Sequence, residues 1–309
     1  MTTILTPPAP ALALAQDHRR GFALGALGVV IFAMTLPMTR LAVGDASAPQ
    51  LPPAFVTAGR AALAGLLSVL YLLAVRAPLP ARRHAPALAI SALGTVFGFP
   101  LCLALALREV PAMHAAVVTG LMPLSTAIFG AWVFRQRPSA GFWACALAGC
   151  ALVLGFAAWQ GGGAVSAGDG WLLLAVLFTG IGYVGGAKVA ADVPAPQVIC
   201  WVLVCSLPLT LPAALWTWPS APASTAAWGG FVYVSLFSMW LGFFAWYRGL
   251  TLGGVVRVSQ VQLIQPFIAL LFAVPVLGER LDGVTLLFSL AVIGVVFIGR
   301  RMPVRQLKA

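Results

Sequence analysis

The sequence predicts an all-α integral membrane protein: ten transmembrane helices in two inverted five-helix repeats around a central cavity. Three observations predict it: a composition too apolar to face water, ten apolar runs of membrane-spanning length, and a self-match between the two halves. Of the 309 residues, 61% are hydrophobic and 8% are charged, whereas a soluble domain carries roughly 25% charged residues. That excludes a soluble enzyme, a nucleic-acid-binding domain and a disordered chain. The net charge of +11 comes from 18 basic residues against 7 acids. Most of the basic residues stand singly or in pairs between apolar runs, as topology signals do, so the expected surroundings are a lipid bilayer and no nucleic acid.

The elements follow in order. Residues 1–20 are Pro- and Ala-rich and end in Arg19-Arg20. They lack the charged region ahead of an apolar stretch that a cleaved signal needs, and are read as a cytoplasmic tail. A helix crosses roughly 30 Å of hydrocarbon with about 20 apolar residues. Runs of that kind lie at 21–41, 53–75, 86–107, 112–134, 139–159, 168–188, 196–217, 227–248, 253–277 and 282–299. Short connections join them, and residues 301–309 form a second cytoplasmic tail. With the N-terminus inside, 14 of the 18 basic residues fall on the inner side, and five of the seven acids fall outside. Both termini are therefore expected in the cytoplasm. Trp132 and Trp143 flank an inner loop; Trp159, Trp171, Trp216, Trp218 and Trp228 flank outer ones. Cys102, Cys145, Cys150, Cys200 and Cys205 lie in apolar runs without metal-ligand spacing and read as small buried hydrophobes.

Leu107–Arg137 aligns with Leu250–Arg280 at an offset of 143, so that Pro123 meets Pro266. Each segment has a polar turn, an apolar helix containing Pro, a short charged turn and a Gly-rich helix. Because five is odd, the second set of helices enters the membrane from the opposite side, which makes the repeat inverted.

The paired segments resemble the two EamA-type domains of the drug/metabolite transporter superfamily. The resemblance rests on Gln265-Pro266, Gly278-Glu279-Arg280 and Gly294; the first half departs from it with Gln136 in place of the acid. It covers about 21–300, as repeats over 21–160 and 168–300. The chain looks most similar to the YddG-like bacterial amino-acid and metabolite exporters. The resemblance implies export of small metabolites across a bacterial cytoplasmic membrane. Efflux of lipophilic cations uses the same scaffold and is the alternative.

Polar groups within a bilayer are costly unless they face an interior or a cavity, so they are the candidate site. Gln262 and Gln265 share a helical face beside Pro266, which as a helix-interior proline frees a carbonyl one turn earlier. They either line a pathway or bind helices together. Thr119 is the repeat partner of Gln262, and His114 that of Arg257. His114 either relays a proton or is a hydrogen-bonded structural histidine; Arg257 either snorkels or closes an inner gate. Thr35 and Thr39 flank Pro37, and Pro37, Pro123 and Pro266 are candidate hinges. Arg60 either snorkels outward or faces an outer vestibule. Phe99, Tyr183 and Trp240 are candidate aromatic wall. Without a mid-span carboxylate, a metal cluster, a nucleophile with its base or a phosphate-binding loop, neither an enzyme nor a cofactor is expected. The expected partner is a small-molecule substrate, with a monomer compatible with the sequence. A wall of amides and aromatics suits neutral or aromatic amino acids.

Overall fold

A computed structural model describes residues 9–133, 136–160, 166–190, 192–253, 260–302 and 304–306. Helix α1 (Ala9–Ala33) breaks at Met34 and resumes as α2 (Thr35–Val43), because Pro37 has no N–H to give the carbonyl of Ala33. After a turn at Gly44, whose φ of 69° suits glycine, comes α3 (Pro53–Ala74). Helix α4 (Ala85–Ser91), a π-helical stretch over Ala92–Gly98 and α5 (Phe99–Glu109) form one rod. Helices α6 (Ala112–Thr119) and α7 (Met122–Val133) are separated by Gly120 and Leu121, and α8 (Ala140–Gln160) follows.

The second half contains α9 (Ala167–Val189) and α10 (Ala195–Trp216). Helix α11 (Thr225–Tyr233) leads through a π-helical stretch (Val234–Leu241) into α12 (Gly242–Gly253). A 3-10 turn (Gln260–Ile264), α13 (Gln265–Leu277) and α14 (Gly283–Arg301) complete it. Strand β1 (Gln136–Pro138) pairs antiparallel with β2 (Val304–Gln306), joining the connection after α7 to the tail after α14.

Among the described residues, eight helices are long and apolar enough to cross a membrane, and Gln265–Leu277 and Gly283–Gly299 are shorter apolar helices. Large apolar side chains cover the outside: Leu73 is 70% exposed, Leu147 72% and Trp216 92%. Water would penalise such a surface, whereas lipid accepts it. Two thiols depart from the expected burial for the same reason: Cys150 and Cys205 lie exposed on apolar helices, while Cys102 and Cys200 are buried.

The helices pack across the two halves. Helix α1 lies on α12, α3 on α10, α5 on α9, α6 on α13 and α8 on α14. Glycines allow the closest approaches: a Cβ at Gly94 would lie 2.4 Å from the Cα of Gly182, and one at Gly249 would lie 2.6 Å from the Gly25 nitrogen. Local irregularities recur at one spacing. The π-helical stretches end at Gly98 and Leu241, α5 and α12 begin at Phe99 and Gly242, and α7 and α13 begin at Met122 and Gln265, each pair 143 residues apart.

The local structure alters two expectations drawn from the prolines. Pro266 and Pro123 are the second residues of α13 and α7. There a missing N–H has no intrahelical partner to lose, so they start helices rather than kink continuous ones. Gln262 consequently sits in the 3-10 turn and Gln265 at the start of the α-helix.

Candidate functional site

Two adjoining cavities lie where α2, α5, α6, α9 and the α11–α12 rod converge. Leu36, Thr119, Met122, Tyr183 and Gln265 line both. Thr35, Phe99 and Arg60 line the first; Gln262, Pro123 and Pro266 line the second. The Tyr183 hydroxyl and the Gln262 side chain are hydrogen-bond partners, linking α9 to the turn before α13.

Breaks in regular helix bring these groups together. A π-helical stretch carries an extra residue per turn and redirects the side chains beyond it. The stretch over Ala92–Gly98 places Thr95 on the first cavity, and that over Val234–Leu241 places Ser238 and Met239 there. Thr95 and Ser238 are themselves 143 residues apart. Extending the repeat alignment back to the third and eighth apolar runs would have found both. Thr179 is a further lining residue that the sequence reading passed over.

The hydrogen-bonding character of the wall follows from how its groups are already engaged. Thr95, Thr119 and Thr179 donate to their own helices, at Ser91, Ala115 and Ala175, over 2.7, 2.7 and 3.0 Å. Each hydroxyl hydrogen is thus used, and each oxygen keeps acceptor capacity. Arg60 is the opposite. It is 3% exposed, and its Nη2 donates to Ser238 Oγ at 2.9 Å. Ser238 Oγ lies 2.8 Å from Thr35 Oγ1. Nε of Arg60 has no hydrogen-bond partner among the described residues. The vestibule alternative for Arg60 therefore becomes a position inside the central cavity.

Other candidates lie elsewhere. Trp240 packs between Tyr71 and Phe244, with ring centroids 6.5 and 5.0 Å away, and lines neither cavity. Thr39 is buried, and its hydroxyl has no partner among the described residues. His114 also lies outside both cavity walls. Its Nε2 is 2.5 Å from Asp169 Oδ1, and its ring stacks on Phe156 at 4.9 Å. Asp169 in turn completes the capping box with Ser166 that starts α9. Pro37 is buried in the first turn of α2. Arg257 lies outside the described residues. No cluster of metal-ligating side chains occurs among the described residues.

In the connection between α13 and α14, Glu279 caps α6: Oε1 accepts from the Ala112 amide at 2.7 Å and Oε2 from Met113 at 2.8 Å. The Gly278-Glu279-Arg280 turn thus serves as an anionic clasp from the second half onto a helix N-terminus of the first.

The fold and sequence have known counterparts. A Bacillus subtilis (strain 168) protein described as the uncharacterized transporter YdeK is 44% identical over 283 residues, 91% of this chain and 97% of its own. A solved structure, described only as the crystal structure of a protein, superposes with a TM-score of 0.62 at 21% identity. It covers 90% of this chain and 95% of its own, a likeness of fold. The model of the EamA-like transporter family matches twice, over residues 19–157 and 166–300, and the chain belongs to that family of multi-pass membrane transporters.

Proposed function

We propose that the protein exports small metabolites, most readily neutral or aromatic amino acids, by alternating access of the central cavity to the two sides of the membrane. One observation carries the reading: a partly polar cavity lies between packed halves, walled by hydroxyls, amides and aromatics, with no acidic side chain among its lining residues. Hydroxyl oxygens and amides accept an ammonium, Arg60 offers donors to a carboxylate, and Phe99, Phe243 and Tyr183 suit an apolar or aromatic tail.

The halves are inverted repeats of five spans each, over 21–160 and 168–300, with both termini in the cytoplasm. Three recurrences at the 143-residue spacing support this: the π-helical stretches, the helices that follow them, and the proline-started helices α7 and α13. The packing supports it too. Exchanging the first five spans for the second five turns the α1–α12 contact into the α9–α5 contact and carries the α3–α10, α6–α13 and α8–α14 pairs onto themselves. In this arrangement one half rocks against the other around a midplane site.

The test is flux into proteoliposomes holding the purified protein, with radiolabelled amino acids, one lipophilic cation and no imposed pH gradient. Saturable, stereoselective amino-acid flux is expected. Flux of the cation alone would assign the protein to drug efflux. Gln262→Leu and Gln265→Leu are expected to reduce flux severalfold while leaving the elution profile and thermal unfolding unchanged. Loss of folding along with flux would make them interhelical ties instead.

A further inference from the structure

We propose that Arg60, oriented by Ser238, is the carboxylate-binding group of the cavity, so that the protein selects its substrates by a carboxylate and an uncharged tail and does not require an ammonium group. The proposal rests on the transport reading above and gives it a chemical selection rule. It begins with an unbalanced charge. A guanidinium stays protonated and offers five N–H donors and no acceptor. Burying it is costly unless a partner neutralises it.

No acid among the described side chains fills that place. Asp45 pairs with Arg40, Asp169 with His114, and Asp192 with Arg83 and His84. Glu279 caps α6, Asp282 caps α14, and Glu109 is exposed. Among the described residues, the cavity therefore holds one buried cation with no protein counter-charge.

The surrounding geometry prepares that cation for an exchangeable anion. Arg60 lies seven residues into α3, about 10 Å along its axis, beyond easy reach of lipid phosphates. Ser238, on the π-helical stretch of the opposite half, accepts from Nη2. That contact restrains the planar fork, which matches a carboxylate through two parallel N–H bonds. At the 143-residue spacing the second half carries Leu203, fully buried, where the first carries Arg60. Among the described residues the cavity thus has one anion subsite, and a substrate must orient its carboxylate toward it. The ammonium of an amino acid meets only neutral acceptors on Thr95, Thr119 and Thr179. Its removal should therefore cost less than removal of the carboxylate.

The experiment measures L-phenylalanine flux in proteoliposomes with three competitors: 3-phenyllactate, which keeps the carboxylate; phenylalaninamide, which keeps the ammonium; and tetraphenylphosphonium. Phenyllactate is expected to compete within about tenfold of phenylalanine, and phenylalaninamide at least tenfold more weakly than phenyllactate. Arg60→Gln should raise KM tenfold or more, Arg60→Lys should recover part of the loss, and Ser238→Ala should raise KM without abolishing flux. If Arg60→Gln does not fold, the wild-type competition series and Ser238→Ala still decide. Equal competition by the amide and phenyllactate, or an unchanged KM in folded Arg60→Gln, overturns the carboxylate site and leaves the transport reading standing. The same compounds are titrated against the purified protein in detergent. Arg60-dependent carboxylate binding without flux would uphold the site and overturn the transport reading. Flux of tetraphenylphosphonium, with no carboxylate bound or moved, overturns both.

Discussion

His114 illustrates how one side chain is read differently alone and in its surroundings. As a titratable residue in an apolar run it suggested proton handling. In the fold it is 5% exposed, bonded to Asp169 and stacked on Phe156, and it ties α6 to the start of α9. Asp169 keeps its Ser166 partners when the imidazole is removed. His114→Ala is therefore expected to cost about 1–3 kcal/mol of stability, the range for losing a buried hydrogen-bond partner. Thermal unfolding in detergent checks this, and KM for the transported substrate should stay unchanged. An altered pH profile of flux at unchanged thermal stability would instead assign proton handling to His114. Arg60 makes the converse point. Its place in an apolar run left snorkelling or an outer vestibule open, and its burial beside Ser238 was not legible, because Ser238 is 178 residues away.

At the scale of elements, the determinants are helix ends and close approaches. Glu279 accepts from two amides at the N-terminus of α6, so Glu279→Ala is expected to cost about 1 kcal/mol. Glu279→Gln, which keeps hydrogen-bonding capacity without the charge, should cost less; paired unfolding curves compare them. This contact also gives a physical reason for the acid in the Gly-Glu-Arg turn. Glycines divide by surroundings rather than by sequence. A Cβ at Gly94 would strike backbone at 2.4 Å, whereas one at Gly170 meets nothing within 4 Å. Gly94→Val should therefore prevent the rod of α4 and α5 from seating on α9, seen as aggregation on size-exclusion chromatography. Gly170→Ala should leave folding intact and raise stability by about 0.5–1 kcal/mol through helix propensity. The π-helical stretches were invisible in apolar periodicity, since an extra residue within an all-apolar helix leaves no polar stripe to shift.

For the whole molecule, the prediction concerns sidedness. In a cysteine-free background with both termini cytoplasmic, Ser47→Cys should react with a membrane-impermeant maleimide in intact cells. Arg82→Cys should react only after permeabilisation. Both positions are exposed. Labelling of both in intact cells would overturn the topology. The β1–β2 pairing places the connection after α7 beside the tail after α14, so the two are expected to label from the same side.

The sequence by itself determined the environment, the order of the apolar elements and the family. Each depends on quantities summed along the chain: hydrophobic length against bilayer thickness, charge counted by loop, and a motif repeated at fixed spacing. It also marked Thr35, Phe99, Thr119, Tyr183, Gln262 and Gln265, which the fold gathers around two adjoining cavities. Tertiary structure alone decided that Arg60 faces inward, that Ser238, Thr95 and Thr179 join it, and that Trp240 and His114 stand outside the cavity walls. The physical reason is that lipid and protein interior are both apolar, so hydrophobic patterning cannot say which face of a helix meets which. Helix irregularities, glycine contacts and hydrogen bonds between distant residues make that choice.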